Sequence, residues 1–443
     1  MDFGLIGYPL KHSFSKEVHS LFSNYQYEIN ELKESSFDDF MTRKNFKGIN
    51  VTIPYKQKVI PYLDEIDDYA KEINAVNTII NTNGKLKGYN TDFFGVVSSF
   101  TFFNSFNKDY YYIILGTGAT SNTIAYTLKF LGAHYVKKCY RENSKVKGDL
   151  LYSELERDFT NVPLYIINTT PNGMYPHHSD ETLIDLTKFK NLKGVMDVVY
   201  NPLKTKILQD AEKLGVQVSS GLYMLVAQAI FAGKYFLNDK SKLDPFHFYP
   251  SIDYLKQGDL VRANKICGNI LTKDIFSYYD ICRKNKLNIV LTGMPTCGKS
   301  TLGKEISKKY NYDFIDTDEL IENRINMKVS DYIKSNGEAK FRDIESDIIK
   351  EIATRNHVVI STGGGVVLRD ENITNLKYNG KIFFINRSLE LLKPSDDRPL
   401  TSNQSSLTKK YNERLPIYKK TCDIEINGDN DYTSRINDIF ANL

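Results

Sequence analysis

The stretch from Asn288 to Gly303, NIVLTGMPTCGKSTLG, is an apolar run, a loop bounded by glycines, and then Lys299-Ser300-Thr301 at the head of a helix. Gly293 to Ser300 fits G-x-x-x-x-G-K-[ST], a pattern whose glycines let backbone amides turn inward around a phosphate. In that reading Gly293, Pro295, Thr296, Cys297, Gly298 and Thr301 line a nucleotide's phosphates. Lys299 reaches the outer ones, and the Ser300 hydroxyl helps to hold magnesium. Downstream, FIDTDELIE ends a strand with Asp316 and Asp318 two apart, so that both face one way. One can serve magnesium and the other a substrate hydroxyl, or either can cap a helix. GEAKFRDIE puts Arg342 and Glu345 on one helical face. VVISTGGGVV delivers Gly363, Gly364 and Gly365 straight from a strand, where a ligand can approach the backbone closely. SDDRPL carries Arg398 in a stretch of lid-like composition, and ERLPIY carries Arg414.

The front half holds a different set. Ser13 and Ser15 lie two apart near a helix start, as a carboxylate site or as caps. GINVTIPYKQKV sets Asn50, Thr52 and Lys56 along a strand-to-helix crossing. AVNT adds Asn77, and GYNTDFFG adds Asn90 and Asp92. Taken singly, each has a plainer explanation, because Asn and Asp favour turns and a lysine favours solvent. YYYIILGTGATSNTIAY places Gly116, Gly118 and Ser121 after a strand and before a helix, the G-x-G-x-x-[GAS] arrangement of a dinucleotide site, with Thr117, Ala119 and Thr120 between them. The next strand ends CYRENSK, where Arg141 and Lys145 suit the 2′-phosphate of NADP and Glu142 points the other way, to a free ribose hydroxyl.

These residues need a scaffold of strands alternating with helices, which argues for parallel sheets in an α/β fold. A chain of 443 residues exceeds one ordinary core. The pattern divides it at 1–95, completed by a helix over about 221–247, then 96–220, a helical connector over 248–286, and 287–443. The 41% apolar and 25% charged fractions are those of a soluble globular protein. A net charge of +4 makes no case for nucleic acid. The five cysteines form no C-x-x-C pair and no zinc spacing, which fits a reducing cytoplasm. The first residues show no signal pattern, and no apolar run reaches a membrane span. Small-molecule substrates are the expected partners. The oligomeric state is left open.

In order and together, the front motifs resemble the shikimate dehydrogenase family from about Phe3 to Phe236, continuing through INTTPNGM, DVVYNPLKT and GLYMLVAQA. The resemblance implies a substrate domain followed by a Rossmann NADP-binding domain. It implies that Ser13 and Ser15 bind the substrate carboxylate, that Asn50, Thr52, Asn77, Asp92 and Gln228 hold the ring hydroxyls with Tyr200 nearby, and that Lys56 and Asp92 are the proton-transfer pair. Gly221 would join the cofactor contacts. From Asn288 onward the ordered motifs resemble shikimate kinase, a P-loop domain of the nucleoside-monophosphate-kinase kind. There the resemblance implies ATP and Mg2+ as partners, Asp316 for the metal, and Asp318, Arg342, Arg414 and the glycines 363–365 for shikimate. Asp318 is also the candidate to orient or deprotonate the reacting hydroxyl, and Arg398 closes over the transferring group. The two halves name neighbouring reactions. Two rivals remain: a quinate-preferring, NAD-using front half, and one half that binds without turnover as a scaffold or sensor.

Overall fold

The computed structural model describes residues 1–10, 13–176, 181–237, 272–393 and 403–443. They form two compact units, Met1–Asn201 with Thr205–Cys282, and Pro202–Lys204 with Arg283–Leu443.

The first unit contains two sheets. One takes β1 (Phe3–Gly7), β2 (Tyr27–Glu31), β3 (Gly48–Val51), β4 (Glu65–Ile66), β5 (Thr78–Thr82) and β6 (Lys85–Tyr89) in the order 2-1-3-5-6-4. β1 runs parallel to β2 and β3, but β5 is antiparallel to both β3 and β6. This sheet is therefore mixed, where alternation suggested a parallel one. The β5–β6 pair is a hairpin closed at Asn83-Gly84, with φ of 53° and 86°. A two-residue turn with positive φ at both positions matches the twist of paired strands, and Asn-Gly is the pair that adopts it most easily.

The other sheet takes β7 (Tyr111–Leu115), β8 (Tyr135–Tyr140), β9 (Leu150–Leu151), β10 (Leu164–Asn168), β11 (Leu192–Asp197) and β12 (Gln217–Ser220) in the order 12-11-10-7-8-9, parallel throughout. β7 and β10 are buried along nearly their whole length, as continuous apolar runs in a two-sided parallel sheet should be. Strand order reverses at β7, which opens a crevice beyond the carboxyl ends of β7 and β10.

Two apolar helices tie the sheets together. Thr91–Phe102 leaves β6, and Gly221–Leu237 leaves β12. They touch where Gly95 meets the Met224 carbonyl and the Gln228 stem. The second helix ends on the first sheet, with Phe236 against Phe3 and Gly48. It carries Gln228 from the cofactor sheet to the substrate sheet. Of the stretches expected to be helical, Gly221–Leu237 and Thr272–Lys286 are described; 238–271 lie outside the described residues.

In the second unit β13 (Asn288–Thr292), β14 (Asp313–Asp316), β15 (Val358–Ser361), β16 (Gly380–Asn386) and β17 (Ile424–Asn427) form a parallel sheet in the order 14-15-13-16-17. Its core, built on Ile289, Val290, Leu291, Ile360, Phe383 and Phe384, is drawn wholly from this unit. Among the described residues no helix is long and apolar enough to cross a membrane.

Gly221 opens its helix hard against β11, and a Cβ there would overlap the Val198 carbonyl. Gly221→Ala is therefore expected to cost about 1–3 kcal/mol of stability, the scale of overpacking a tight site, read from the denaturant midpoint; an unchanged midpoint would mean that the helix start can shift at no cost.

Candidate active sites

β3 and β5 bring the polar residues of the front half together, since their register sets Asn50 opposite Thr78. Asn50, Asn77, Asp92, Gln228, Ser15 and Lys56 are all buried. Buried polar groups must be paired, and these are. The Thr91 amide donates to Asn77 Oδ1 at 2.7 Å, and Asn77 Nδ2 reaches Gln228 Oε1 at 3.4 Å. Asn50 Nδ2 donates to Thr78 Oγ1 at 3.0 Å, while its Oδ1 accepts from the Tyr27 hydroxyl at 2.7 Å. Lys56 Nζ donates to Asp92 Oδ2 at 2.6 Å, with side chains 11% and 9% exposed. Asp92 can sit there because Asn90 caps the helix Thr91–Phe102, accepting from the Phe93 amide.

Ser13 donates to Ser15 across 3.2 Å. Tyr200, from the loop after β11, hydrogen-bonds Ser13 and packs its ring 5.2 Å from Phe14. Thr52 is half-buried and lies beyond the end of β3; the segment after Val51 is a series of turns, not the expected passage into a helix, so Lys56 is placed by a turn. Behind Asn50, His19 stacks on Tyr27 with ring centroids 3.9 Å apart and shares Nδ1 with the Tyr25 hydroxyl at 2.6 Å. Burial pushes its imidazole down to about 3, so it is neutral and acts as packing.

The dinucleotide turn follows β7 into the crevice. Gly116 has φ +110°, and a Cβ there would press on Thr169 Oγ1 at 2.9 Å. Gly118 caps the helix Ala119–Phe130 with open space beside it, and Ser121 closes the turn by donating to the Gly118 carbonyl at 2.6 Å. That helix starts at the turn itself, leaving its first amides at the crevice with no side-chain cap. Thr117 and Thr120 are part-exposed at the same turn. Arg141 and Lys145 are exposed in the loop after β8, which Thr117 Oγ1 touches through the Val146 carbonyl at 3.3 Å. The structure gives Gly221 a packing role against Val198 in addition to its place at the carboxyl edge.

Asp197 was not singled out from the sequence. It is wholly buried at the end of β11 and accepts from Asn168 Nδ2 at 2.9 Å, the Val199 amide at 3.0 Å and Thr205 Oγ1 at 2.5 Å. It thereby joins the loops after β10 and β11 that border the crevice. Burial without a cation pushes its carboxyl up to about 7 despite the three donors.

In the second unit Gly293 and Gly298 have φ of +146° and +93°, and Thr296 is also left-handed at +62°. Its hydroxyl meets both the carbonyl and the amide of Lys393, at 3.1 and 3.3 Å, which holds the unusual backbone in place. Lys299 Nζ donates to the carbonyls of Gly293 and Met294 at 3.0 Å each. Ser300 Oγ donates to Asp316 Oδ2 at 2.6 Å, so the two expected metal residues are adjacent. Asp316 and Asp318 do not alternate along a strand. β14 stops at Asp316, whose carboxylate accepts from the Asp318 amide and caps the helix Thr317–Ile325. Asp318 therefore projects from a helical first turn, and its Oδ1 lies 2.6 Å from where a Gly363 Cβ would stand.

Glycines 363–365 pass between these groups. Arg414 Nη1 and the Tyr418 hydroxyl both donate to the Gly364 carbonyl, at 3.0 and 2.5 Å, and a Cβ on Gly365 would overlap the Arg342 guanidinium. Arg342 is paired with Glu345 at 2.6 Å and Glu338 at 2.9 Å. Glu345 is fully buried; burial raises its carboxyl and the Arg342 charge opposes that shift. A cavity of about 650 Å³ is lined by Lys299, Ser300, Asp316, Asp318, Arg342, Gly363 and Arg414 among others. Arg398 lies outside the described residues.

Comparison with known proteins bears on both halves. The profile of the shikimate dehydrogenase substrate-binding domain matches residues 5–79. A shikimate dehydrogenase (NADP(+)) of Methanosphaera stadtmanae is 35% identical over 267 residues, covering 55% of this chain and 93% of its own. One from Methanococcus maripaludis is 36% identical over 244 residues, covering 51% and 87%. The chain belongs to the shikimate dehydrogenase family. The crystal structure of shikimate dehydrogenase 1 from Peptoclostridium difficile, at 30% identity and a TM-score of 0.50, covers 59% of this chain and 99% of that one. These likenesses cover little more than half of the chain, and the shikimate kinase profile matches residues 295–442. The C-terminal part is a shikimate kinase domain.

The Asp197 carboxyl is raised on folding, so the folded protein favours its protonated form. That stability is present below the ordinary carboxylate range near 4 and is lost as pH rises to about 7. The difference in unfolding free energy between Asp197→Asn and wild type should therefore move in the variant's favour across that window; a difference flat with pH would show that Asp197 titrates alike in both states.

Proposed function

We propose that this chain reduces 3-dehydroshikimate to shikimate with NADPH in its first unit and phosphorylates shikimate to shikimate 3-phosphate with ATP and Mg2+ in its second. The observation that carries the reading is the coexistence in one chain of a buried lysine–carboxylate pair in a polar pocket and a phosphate loop beside an arginine-lined pocket. The product that the first site would release is the acceptor that the second would use.

NADPH supplies the hydride. The turn residues fit the cofactor, since Gly116 and Gly118 leave a Cβ-free cradle at a helix start and Arg141 and Lys145 offer cations beyond it. Asn77 and Gln228, already fixed to each other, hold ring hydroxyls together with Asn50 and Thr52, and Ser13 and Ser15 take the carboxylate with Tyr200 behind them. The Lys56–Asp92 pair furnishes the proton that the carbonyl oxygen takes as its carbon is reduced. Asp92 aims the ammonium, so the pair acts as one acid.

In the second unit Ser300 and Asp316 fit a magnesium ion, which would screen phosphate charge. Lys299 would exchange its two loop carbonyls for phosphate oxygens. Arg342 and Arg414 grip the acid's carboxylate, the fork of a guanidinium matching two oxygens. Asp318 orients the hydroxyl, and Gly363–Gly365 close the floor. Positioning and charge compensation supply most of the rate. Arg398, by its motif, joins the phosphate contacts. A cytoplasmic location is supported by four free cysteines among the described residues, three of them buried.

The direct test is one reaction with 3-dehydroshikimate, NADPH, ATP and magnesium, followed by detection of shikimate 3-phosphate; its absence with active protein rejects the reading. Lys56→Ala should cut reduction by about 10²–10⁴-fold and spare phosphorylation, and Lys299→Ala should do the reverse. Equal loss of both activities in either variant would contradict two separate sites. Arg342→Lys keeps a cation beside buried Glu345 and loses the fork, so the kinase KM for shikimate should rise more than that for ATP. An unchanged shikimate KM removes Arg342 from the site.

A further inference from the structure

The phosphate loop has a cationic neighbour outside its own motif. Arg435, in the first turn of the helix Tyr432–Ala441, is only 3% exposed. Its guanidinium lies 4.2 Å from the centroid of the Tyr432 ring. Nε makes one long contact, 3.4 Å, to the Asp431 carbonyl. Nη1 is enclosed and has no hydrogen-bond partner among the described residues. An enclosed guanidinium nitrogen without a partner is costly, and an anionic ligand is what removes the cost.

Nη1 points at the loop. It lies 3.4 Å from where a Cβ on Gly298 would be, and the Tyr432 hydroxyl is at the same distance. Gly298 is the cap of the twelve-residue helix Lys299–Tyr310 and offers no side chain to its first amides. Arg387, whose Nε is also enclosed with no partner among the described residues, and Tyr432 line the same cavity as Lys299 and Ser300. The Asp429 carboxyl is held low first by its Ser388 hydrogen bonds and only then by Arg387 and Arg435. Its oxygens accept from the Ser388 amide and hydroxyl at 2.9 and 2.6 Å, so it attracts Arg435 without bonding Nη1.

We propose that Arg435, held against Tyr432, is a second cationic contact for the polyphosphate of a nucleoside triphosphate, across the loop from Lys299. This rests on the kinase reading. Lys299 approaches from inside the loop and Arg435 from over its cap, so the two flank the phosphates. Magnesium leaves a nucleoside triphosphate with net negative charge, which the pair would neutralise.

The test is calorimetric binding of Mg·ATP and of inorganic tripolyphosphate to the full chain, with melting curves on every protein. Arg435→Gln should weaken both probes about 10-fold, the scale of one lost charge-assisted hydrogen bond, and raise the KM for ATP but not that for shikimate. Arg435→Lys should recover part of the loss. Tyr432→Leu alters a side chain that is 38% exposed, and should fold and weaken Mg·ATP severalfold by loosening Arg435. A folded Arg435→Gln that binds both probes as wild type does overturns the proposal. If Arg435→Gln fails to fold, unchanged binding by Tyr432→Leu and Arg435→Lys overturns it equally. Wild-type protein that binds neither probe sinks the kinase reading, and the proposal with it.

Discussion

An anion is held by backbone only where amides lack partners, and the first turn of a helix is the place where a folded chain keeps such amides. Both units obey that constraint in the same way. A buried parallel strand ends, a glycine turns the chain through a conformation closed to most side chains, and a helix starts with its amides open: Gly116 and Gly118 after β7, Gly293 and Gly298 after β13. Parallel sheets put such turns at one edge, and the helices after them cover the faces. Substrate groups then come from whatever elements reach that edge. In the first unit the helix Gly221–Leu237 carries Gln228 across from the other sheet; in the second, β14 and β15 deliver Asp316 and the three glycines.

Buried charge is the second theme, and the solutions differ by task. Lys56 and Asp92 are paired with each other at 2.6 Å where solvent is scarce. Arg342 is matched by Glu345 and Glu338 while still lining the cavity, which leaves its orientation fixed before any substrate arrives. Asp197 has hydrogen bonds in place of a countercharge, and it joins the loops after β10 and β11. His19 stays neutral and stacks.

The sequence revealed most where backbone chemistry and residue identity coincide. The two glycine turns, the apolar strands before them and the polar cluster from Asn50 to Asp92 were readable because each needs a particular residue at a particular step. Three of the differences have three separate reasons. The antiparallel hairpin had its signal, Asn83-Gly84, but strand–helix alternation outweighed it. Asp316 and Asp318 were assigned to one strand face because a short strand and a capped helix share the same letters, and only the cap geometry decides between them. Asp197 and Arg435 carry no local pattern at all. Their meaning comes from burial, and burial depends on packing between segments far apart in the chain.

Among the described residues, the apolar cluster from Ile289 to Ile439 is drawn from the second unit, and three further clusters are drawn from the first. Cooperative melting follows the interior, so heating should produce two events in place of one. A molecule that binds only one folded half then protects only that half, by an amount set by its concentration over its dissociation constant. Adenine nucleotide would delay one event and nicotinamide nucleotide the other, and a cell short of one of them would expose a single half of the chain to proteases while its covalent companion stayed folded.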